Sequence, residues 1–314
     1  MIAADGVLCD ITRRLAGSDL SVQCLLTPTD DPHQFQLTPS LSRALRQARL
    51  VLINGYGLTP NLERLHGAIP IAERAVPNSP LLTTSAAPGQ APPADETPHH
   101  TPSADHATLQ PGRQPGERDP HVWHDPAQAA ALVTAVGQQL QQLRPASAAA
   151  IAQRGAAMTR ALQGLDRWNR RQFASLPARP GPRTLATGHR AFASLSRTYG
   201  LHELAVVDAH SGSDSLRPQA LAAAVHRLQH DRVPALFSET WPPSRALSRI
   251  SALSGVPLAP QALRADGLAP AQQASDGDLM ATLTGNTCLI VDQLGGRCDR
   301  SGERQLQQQW QRIR

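Results

Sequence analysis

Lysine is absent from this sequence, so that all 30 basic residues are arginines, against 25 acidic residues and a net charge of +5. The arginines are scattered among alanine, glutamine and proline and form no basic block. Aromatic residues, which stack on bases, make up only 3% of the chain. Nucleic-acid-binding proteins concentrate their basic residues in a patch or stripe. We therefore exclude nucleic acid as a partner.

Long apolar runs are also absent. No run approaches the roughly 18 residues that a membrane-spanning helix needs, so the sequence predicts no transmembrane segment. The amino terminus, MIAADGVLCD, has neither the charged n-region nor the apolar h-region of a secretion signal. Two interpretations stay open at this point. Either the chain is cytoplasmic, or its first methionine lies inside a longer coding sequence.

The chain has four cysteines but no Cys-x-x-Cys, which excludes a zinc ribbon and a thioredoxin-like motif. The cysteines form two pairs of near neighbours in sequence, and each pair fits a disulfide in an oxidising compartment. Small buried apolar side chains are the alternative interpretation. The pairs are Cys9 with Cys24 and Cys288 with Cys298.

The pattern that recurs along the chain is an alternation of strand and helix. Apolar runs such as RLVLING and RTLATGH predict buried strands, and segments such as LRPQALAAAVHRLQ predict helices between them. This alternation is typical of parallel α/β sheets. A chain of 314 residues is long enough for two domains, each with its own core. We predict an α/β protein of two lobes, each with a parallel sheet flanked by helices, and a ligand site in the cleft.

Two segments interrupt the alternation. Residues 85–119 are rich in proline, glycine and polar residues without periodicity, which predicts a mobile loop. Residues 146–175 contain no proline and predict one long helix that connects the lobes. The predicted domains are a first lobe at 1–145, the connecting helix at 146–175 and a second lobe at 176–314. The loop contains His99, His100 and His106.

Four polar residues stand where an α/β fold gathers its ligand-binding groups. Ligands bind at the carboxyl ends of the strands, where loops converge. Three neutral imidazoles and one carboxylate form a complete tetrahedral set for Zn²⁺. A histidine in such a place also serves as a helix cap or hydrogen-bonding group, which is the alternative. The candidates are His33, after a turn that follows a strand; His121, just before a helix; His189, at the end of the strand TLATGH; and Asp266, after a predicted short strand.

Five segments resemble the metal-binding proteins of bacterial zinc and manganese ABC importers. They occur in the family's order and cover nearly the whole chain. The resemblance implies two α/β lobes joined by a long helix, with His33 and His121 as metal ligands from the first lobe. It implies His189 and Asp266 as ligands from the second lobe. The segments are LLTPTDDPHQFQLTPSLSRALRQARLVLINGYGL, DPHVWHDP, ATGHRAFASLSRTYGL, VPALFSETWPPSRALSRISALSGVPL, and RADGL with LMATLTGNTCLIVDQLGG.

The resemblance also bears on the metal. Members of the family that bind manganese often carry glutamate where His189 stands, and three imidazoles suit zinc better than the harder manganese ion. We predict Zn²⁺, with Mn²⁺ as the alternative. The loop with its three histidines is similar to the His-rich loop of the zinc members and would raise the local zinc concentration as a relay. A linker with incidental histidines is the alternative.

Four residues near the candidate ligands receive supporting roles. Glu239 ends the predicted strand ALFSE and is expected to hold a ligand imidazole by its second nitrogen, with a helix cap as the alternative. The resemblance puts His124 outside the ligand set. Asp31 and Asp119 are expected to form turns.

The resemblance implies a binding protein and not an enzyme. Such a chain captures a divalent metal, as a monomer, and delivers it to an ABC-type membrane permease. Relatives carry a secretion signal, so we expect a periplasmic or lipid-anchored protein whose signal is missing from this sequence. Because binding requires deprotonated imidazoles, metal affinity is expected to fall as the pH drops through about 6.

Two other functions stay open beside metal transport. A zinc hydrolase is the alternative from another class, although HExxH, GxSxG and glycine-rich phosphate-loop motifs are absent from the sequence. In a hydrolase, Glu239 would act as the general base and Asp266 would be left out of the ligand set. A metal-storage protein or adhesin would share the transport protein's site.

Overall fold

The computed structural model describes residues 1–27, 30–82, 117–178, 181, 183–207, 217–269 and 277–313. Within these ranges the chain forms two parallel sheets flanked by helices, which confirms the predicted α/β fold. Most of the loop predicted at 85–119 lies outside the described residues, and so do His99, His100 and His106.

The first lobe is built on a four-stranded sheet. Its elements are β1 (Ile2–Ala3), α1 (Gly6–Ala16), β2 (Gln23–Cys24), α2 (Pro39–Gln47), β3 (Val51–Ile53), α3 (Pro60–Glu63), β4 (Ala68–Pro70), α4 (Ile71–Ala75) and α5 (Pro126–Leu143). The strands lie in the order β2-β1-β3-β4 and all pairs are parallel. Parallel strands end at the same edge, so the loops after β2 and β3 lie near each other.

Local sequence signals begin and end the first helix. The Asp5 carboxylate caps α1 by accepting a hydrogen bond of 2.9 Å from the backbone N–H of Leu8. Gly17 follows the last turn with φ of 54°, a conformation that costs glycine little. The face between these ends is apolar and buried, as the spacing of apolar residues predicts. It consists of Val7, Leu8, Ile11 and Leu15.

A single long helix, α6 (Ala148–Ala174), links the two lobes. Its 27 residues span about 40 Å at 1.5 Å per residue. Ile151 and Met158 are buried in the core of the first lobe, whereas Phe173 belongs to the core of the second. The predicted connecting helix is therefore confirmed, and it contributes to both cores. None of the helices in the described residues is long and apolar enough to cross a membrane.

The second lobe has a three-stranded parallel sheet in the order β6-β5-β7. The elements after α6 are β5 (Thr184–Thr187), α7 (Ala193–Tyr199), β6 (His202–Ala205), α8 (Pro218–His230), β7 (Leu236–Phe237), α9 (Arg245–Ser254), α10 (Leu279–Gln293) and α11 (Arg300–Gln311). The last helix, α11, packs on the first lobe. Leu306 and Trp310 on α11 are buried in the core of the first lobe, so the chain returns to that lobe at its end.

Both cysteine pairs are disulfide-bonded, and none of the cysteines is free. The bond between Cys9 and Cys24 ties α1 to β2, with the two Cα atoms 5.6 Å apart. The bond between Cys288 and Cys298 ties α10 to the segment that leads into α11, with a Cα separation of 5.1 Å. The question that the sequence left open is resolved in favour of disulfides for both pairs.

Candidate metal centre

Four side chains from both lobes converge in the cleft. Each of them offers one potential ligand atom, and these atoms all lie within 4.8 Å of one another. Two of the residues precede α6 in the chain and two follow it. These are the four residues singled out from the sequence: His33, His121, His189 and Asp266.

The Asp266 carboxylate lies at the centre of the group. Its Oδ1 atom is 3.1 Å from Nε2 of His33 and 2.8 Å from Nε2 of His121, and its Oδ2 atom is 3.4 Å from Nε2 of His189. A tetrahedral zinc ion with ligands at 2.0–2.1 Å has ligand-to-ligand distances of about 3.4 Å. The distances from Asp266 to the three imidazoles are thus close to those that one small tetrahedral cation requires. Their exposure is low, at 16% for His33, 19% for Asp266, 10% for His189 and 0% for His121.

The two histidines of the first lobe are held by the same tripeptide, Asp-Pro-His. In each copy the aspartate side chain accepts a hydrogen bond from the backbone N–H of the histidine, at 2.9 Å for Asp31 and 3.0 Å for Asp119. Proline fixes the backbone between them. The predicted turn-forming role of both aspartates agrees with these bonds.

Asp119 has a second role that the sequence interpretation missed. Its Oδ1 atom is 2.8 Å from Nδ1 of His121, so the ring donates to the carboxylate on one side and turns Nε2 toward the cleft on the other. Carboxylates in this position fix the tautomer and orientation of metal-binding histidines. The available signal was the recurrence of Asp-Pro-His at both candidate ligands.

His189 follows β5 by two residues, and the second sheet supports it from both sides. The Thr187 hydroxyl donates to the His189 carbonyl at 2.9 Å. The backbone N–H of His189 donates to Oε1 of Glu239 at 3.3 Å, whereas Nδ1 of the ring is 3.9 Å from that oxygen. Glu239 therefore holds the backbone of His189, and the expected hydrogen bond to the ring nitrogen is too long. Gly188 is required here because a Cβ atom would collide with the Glu239 carboxylate.

The strand predicted before Asp266 is wrong. The described chain makes an isolated bridge from Leu258 to Leu236 on β7, but it enters no strand between that bridge and Asp266. Side chains from other elements hold the segment instead. Asn286 on α10 pairs with both backbone groups of Arg264, accepting from its N–H at 2.9 Å and donating to its carbonyl at 2.8 Å.

His124 also supports the Asp266 segment, from the other lobe. It is buried at 1% exposure, and its Nε2 atom donates to the carbonyl oxygen of Ala265 at 3.1 Å. Its ring packs on Phe192, with centroids 4.6 Å apart. Burial and the nearby charge of His121 lower the pKa of His124 to about 4, so the ring is neutral at physiological pH. His124 thus lies outside the ligand group, as expected, but it fixes the residue next to a ligand.

The charges in the cleft favour a protonated His121 when no metal is present. Burial by itself would lower the pKa of His121, but the negative charge of Asp266 and the hydrogen bond to Asp119 outweigh it and raise the pKa to about 9. Burial lowers the pKa of His189 to about 4, with repulsion from His121 and His33 adding to the effect. Burial would raise the pKa of Asp266, but His121 and His189 hold it well below its usual range. Burial also raises the pKa of Glu239 to about 8, so this side chain carries a proton at neutral pH.

Comparison with known proteins identifies a family that matches nearly the whole chain. The family described as ZnuA, the periplasmic component A of a zinc-uptake complex, matches residues 2–293. The zinc-binding protein TroA of Treponema pallidum is 28% identical over 253 residues, which cover 78% of this chain and 71% of TroA. The manganese ABC transporter substrate-binding lipoprotein PsaA of Streptococcus mitis is 20% identical over 278 residues, covering 88% of this chain and 83% of PsaA.

Solved structures share the same architecture. The periplasmic zinc-binding protein TroA from Treponema pallidum superposes with a TM-score of 0.75 at 24% identity, covering 93% of this chain and 98% of TroA. The Fe(III)-bound YtgA from Chlamydia trachomatis has a TM-score of 0.76 at 19% identity, with coverage of 95% and 99%. At these identities the likeness concerns the fold.

Proposed function

This chain belongs to the family of the periplasmic zinc-uptake complex component A, and we propose that it captures Zn²⁺ outside the cytoplasmic membrane for an ABC-type permease. Members of this family are metal-binding, substrate-binding components of ABC importers and not enzymes. The zinc hydrolase alternative is therefore dropped. The chain is a divalent-metal-binding component of the importer, and the choice of zinc as its cargo is our proposal.

The ligands that we propose are His33, His121, His189 and Asp266. The single observation that carries the proposal is the convergence of these four side chains, two from each lobe, with one potential ligand atom of each within 4.8 Å of the others. Four protein ligands complete a tetrahedron and leave no open position for a reacting water. Such a set suits capture and release of a cargo ion.

The chemistry of the ligands supports zinc over manganese. Imidazole suits borderline-soft ions such as Zn²⁺, whereas carboxylate, carbonyl and water oxygens suit Mn²⁺. The proposed set contains three imidazoles and one carboxylate. Relatives named for zinc and for manganese both match this chain, so the ligand set and not the family supports the choice.

The compartment is supported by the cysteine chemistry. Disulfides persist in oxidising compartments such as the bacterial periplasm and are rare in the cytosol. All four cysteines of this chain are in disulfides. We propose a periplasmic or membrane-anchored location. The lobe bounds 1–145 and 176–314 stay a prediction from the sequence, with the exception that α11 packs on the core of the first lobe. The monomeric state, and the relay role of the histidines in the 85–119 loop, stay predictions.

Competitive metal binding tests the proposed cargo. Metal-stripped protein is titrated calorimetrically with Zn²⁺ and with Mn²⁺, alone and against each other. We expect one tight zinc site, with manganese binding at least roughly 100-fold weaker because only one of the four ligands is an oxygen. The variant His189→Glu exchanges an imidazole for a carboxylate and is expected to narrow this gap, whereas His202→Glu, at an exposed histidine on β6, leaves it unchanged.

Two results would change the proposal. Manganese binding tighter than zinc binding would keep the importer role and overturn the choice of cargo. A zinc affinity that is unchanged in a His189→Ala variant would overturn the proposed ligand set, since it would show that His189 does not bind the ion.

A further inference from the structure

A second pair of histidines lies on α8, outside the cleft. His226 and His230 are separated by four residues, so they share one face of the helix. Their rings are nearly parallel, with centroids 6.1 Å apart and an interplanar angle of 18°. Both residues are exposed, and the His230 side chain is 73% accessible. Two imidazoles at this spacing on a helix are an arrangement that binds a transition-metal ion between them.

The surroundings of the pair favour a cation. Both histidines are in the last turns of α8, whose carboxyl end carries the negative pole of the helix dipole. Asp231, the C-cap residue, accepts a hydrogen bond from Nδ1 of His230 at 2.9 Å. That bond leaves Nε2 of His230 for a metal and orients the ring, as carboxylates do beside metal-binding histidines.

The arginine between the two histidines in sequence is paired with a carboxylate. Arg227 lies between the two histidines in sequence, and its Nε atom is 2.6 Å from Oδ2 of Asp231. The arginine and the aspartate together contribute no net charge. An approaching divalent ion therefore meets two imidazoles, the negative pole of the helix dipole and an arginine whose charge is balanced by Asp231.

The topology separates this pair from the cleft. α8 leads back to the start of β7, so its carboxyl end lies at the edge of the second sheet where the strands begin. His189, the cleft residue that follows a strand of this sheet, lies at the opposite edge, where β5 ends. The two groups of histidines cannot share one ion.

We propose that His226 and His230 form a second, surface metal site that binds one borderline-soft divalent cation such as Zn²⁺ or Cu²⁺. Two protein ligands leave the remaining positions to water, so binding is at least roughly 100-fold weaker than at a four-ligand site. By the general order of metal affinities, Cu²⁺ binds there more tightly than Zn²⁺ or Ni²⁺. The site is independent of the proposed cargo site and does not require it.

Calorimetric titration of the metal-stripped full chain with Zn²⁺ alone tests the proposal. Histidines of the 85–119 loop could add weak binding, so the parent for comparison carries His99→Gln, His100→Gln and His106→Gln. We expect the binding isotherm to show one equivalent of Zn²⁺ bound tightly. A second, weaker phase is expected to include one equivalent of Zn²⁺ bound at α8. The variant His226→Gln/His230→Gln, which keeps good helix-forming residues, is expected to lose that weak equivalent. His230→Gln alone is expected to weaken it at least about tenfold, because the second ligand of the chelate is lost.

The matched control changes two other exposed histidines, His66→Gln/His202→Gln, and is expected to keep the weak equivalent. A weak component that is unchanged in His226→Gln/His230→Gln, or that is equally reduced in the control, overturns the proposal. The two sites can fail separately. If a His189→Ala chain loses the tight component but keeps the weak one, the α8 site is supported. If the parent shows only the weak component, the proposed function is contradicted and the α8 site is not.

Discussion

At the residue scale, the cleft depends on one imidazole shared between two carboxylates. Nδ1 of His121 is 2.8 Å from Asp119, and Nε2 is 2.8 Å from Asp266. Without metal, this arrangement keeps a proton on each ring nitrogen and raises the pKa to about 9. A metal ion that binds Nε2 must displace one of these protons. The other stays between the ring and Asp119 and orients the ligand.

Zinc affinity is therefore expected to depend on pH well above the ordinary histidine range. The protonated form of His121 competes with the metal, so affinity falls as the pH drops below about 9, roughly tenfold per unit at neutral pH. The sequence alone had suggested a fall near pH 6, because an isolated imidazole titrates there. Titration at pH 7.5 in buffers of different ionisation enthalpy is expected to report about one proton released per zinc ion bound. A proton count near zero would contradict the shared-imidazole arrangement.

Replacing Asp119 by asparagine tests its role beside His121. The variant keeps the size of the side chain but removes the charge that fixes the ring, and we expect zinc affinity to fall about 10- to 100-fold. Because the pKa of His121 also loses a contribution from Asp119, the pH dependence of binding is expected to shift downward. The control is Asp292→Asn, which changes a carboxylate on α10 that pairs with Arg300. An affinity that is unaltered in Asp119→Asn would leave Asp119 with only its turn-forming role.

The sequence identified the ligand candidates better than their supports. The candidate ligands could be identified from the sequence because each is a chemically distinctive residue in a segment that resembles one family. Asp119 was assigned only a turn, and Glu239 a bond to the ring that is instead made to the backbone of His189. Both errors concern which atom a side chain forms a hydrogen bond with. That depends on tertiary distances, which residue types and spacing do not specify.

At the scale of elements, the sequence predicts best where the signals are local. The segment 146–175 contains no proline and forms α6, and LRPQALAAAVHRLQ forms α8 with its proline at the first helical position, so both helices form where expected. The segment that carries Asp266 has no such local signal. Its conformation is fixed by Asn286 on α10 and by His124 from the other lobe, both distant in sequence. The strand predicted there was wrong because the apolar run is held by side chains and not by a neighbouring strand.

Removing the Asn286 side chain is expected to loosen this segment. Asn286→Ala leaves two backbone groups of Arg264 without their partner, which costs about 1–3 kcal/mol of the free energy of unfolding. Zinc affinity is expected to fall roughly tenfold, because Asp266 loses part of its support. Denaturant unfolding and zinc titration of the same variant measure both effects. A loss of stability without any loss of affinity would separate Asn286 from the site.

At the scale of the whole molecule, direct hydrogen bonds join the two lobes beside the cleft. The Thr198 hydroxyl on α7 donates to Oδ2 of Asp125, the N-cap residue of α5, at 2.8 Å. Arg197 donates to the carbonyl of Asn78 at 3.2 Å. A metal ion bound by two ligands from each lobe would add a strong link across the same boundary. The sequence predicted two lobes and the linking helix, but not the return of α11 to the first core, because an apolar helix face does not specify its partner.

Removal of zinc is expected to destabilise the folded chain. A ligand that binds only the folded state adds about 4 kcal/mol to the free energy of unfolding when its concentration is 1,000 times its dissociation constant. Scanning calorimetry with and without a chelator is expected to show a lower Tm after zinc removal. Limited proteolysis of the same samples is expected to show greater protease sensitivity. The His189→Ala variant serves as the comparison and is expected to gain little from added zinc. Equal Tm values for the loaded and stripped wild-type chain would mean that the ion does not join the lobes.

Zinc X-ray absorption on the chain loaded with one equivalent of Zn²⁺ tests the proposed site most directly. We expect four nitrogen and oxygen ligands at about 2.0–2.1 Å, with scattering from three imidazoles. The His189→Ala variant should retain no more than two of those imidazoles. A spectrum with fewer than three imidazoles in the wild-type chain, or with five or six ligands, would contradict a closed site formed by His33, His121, His189 and Asp266.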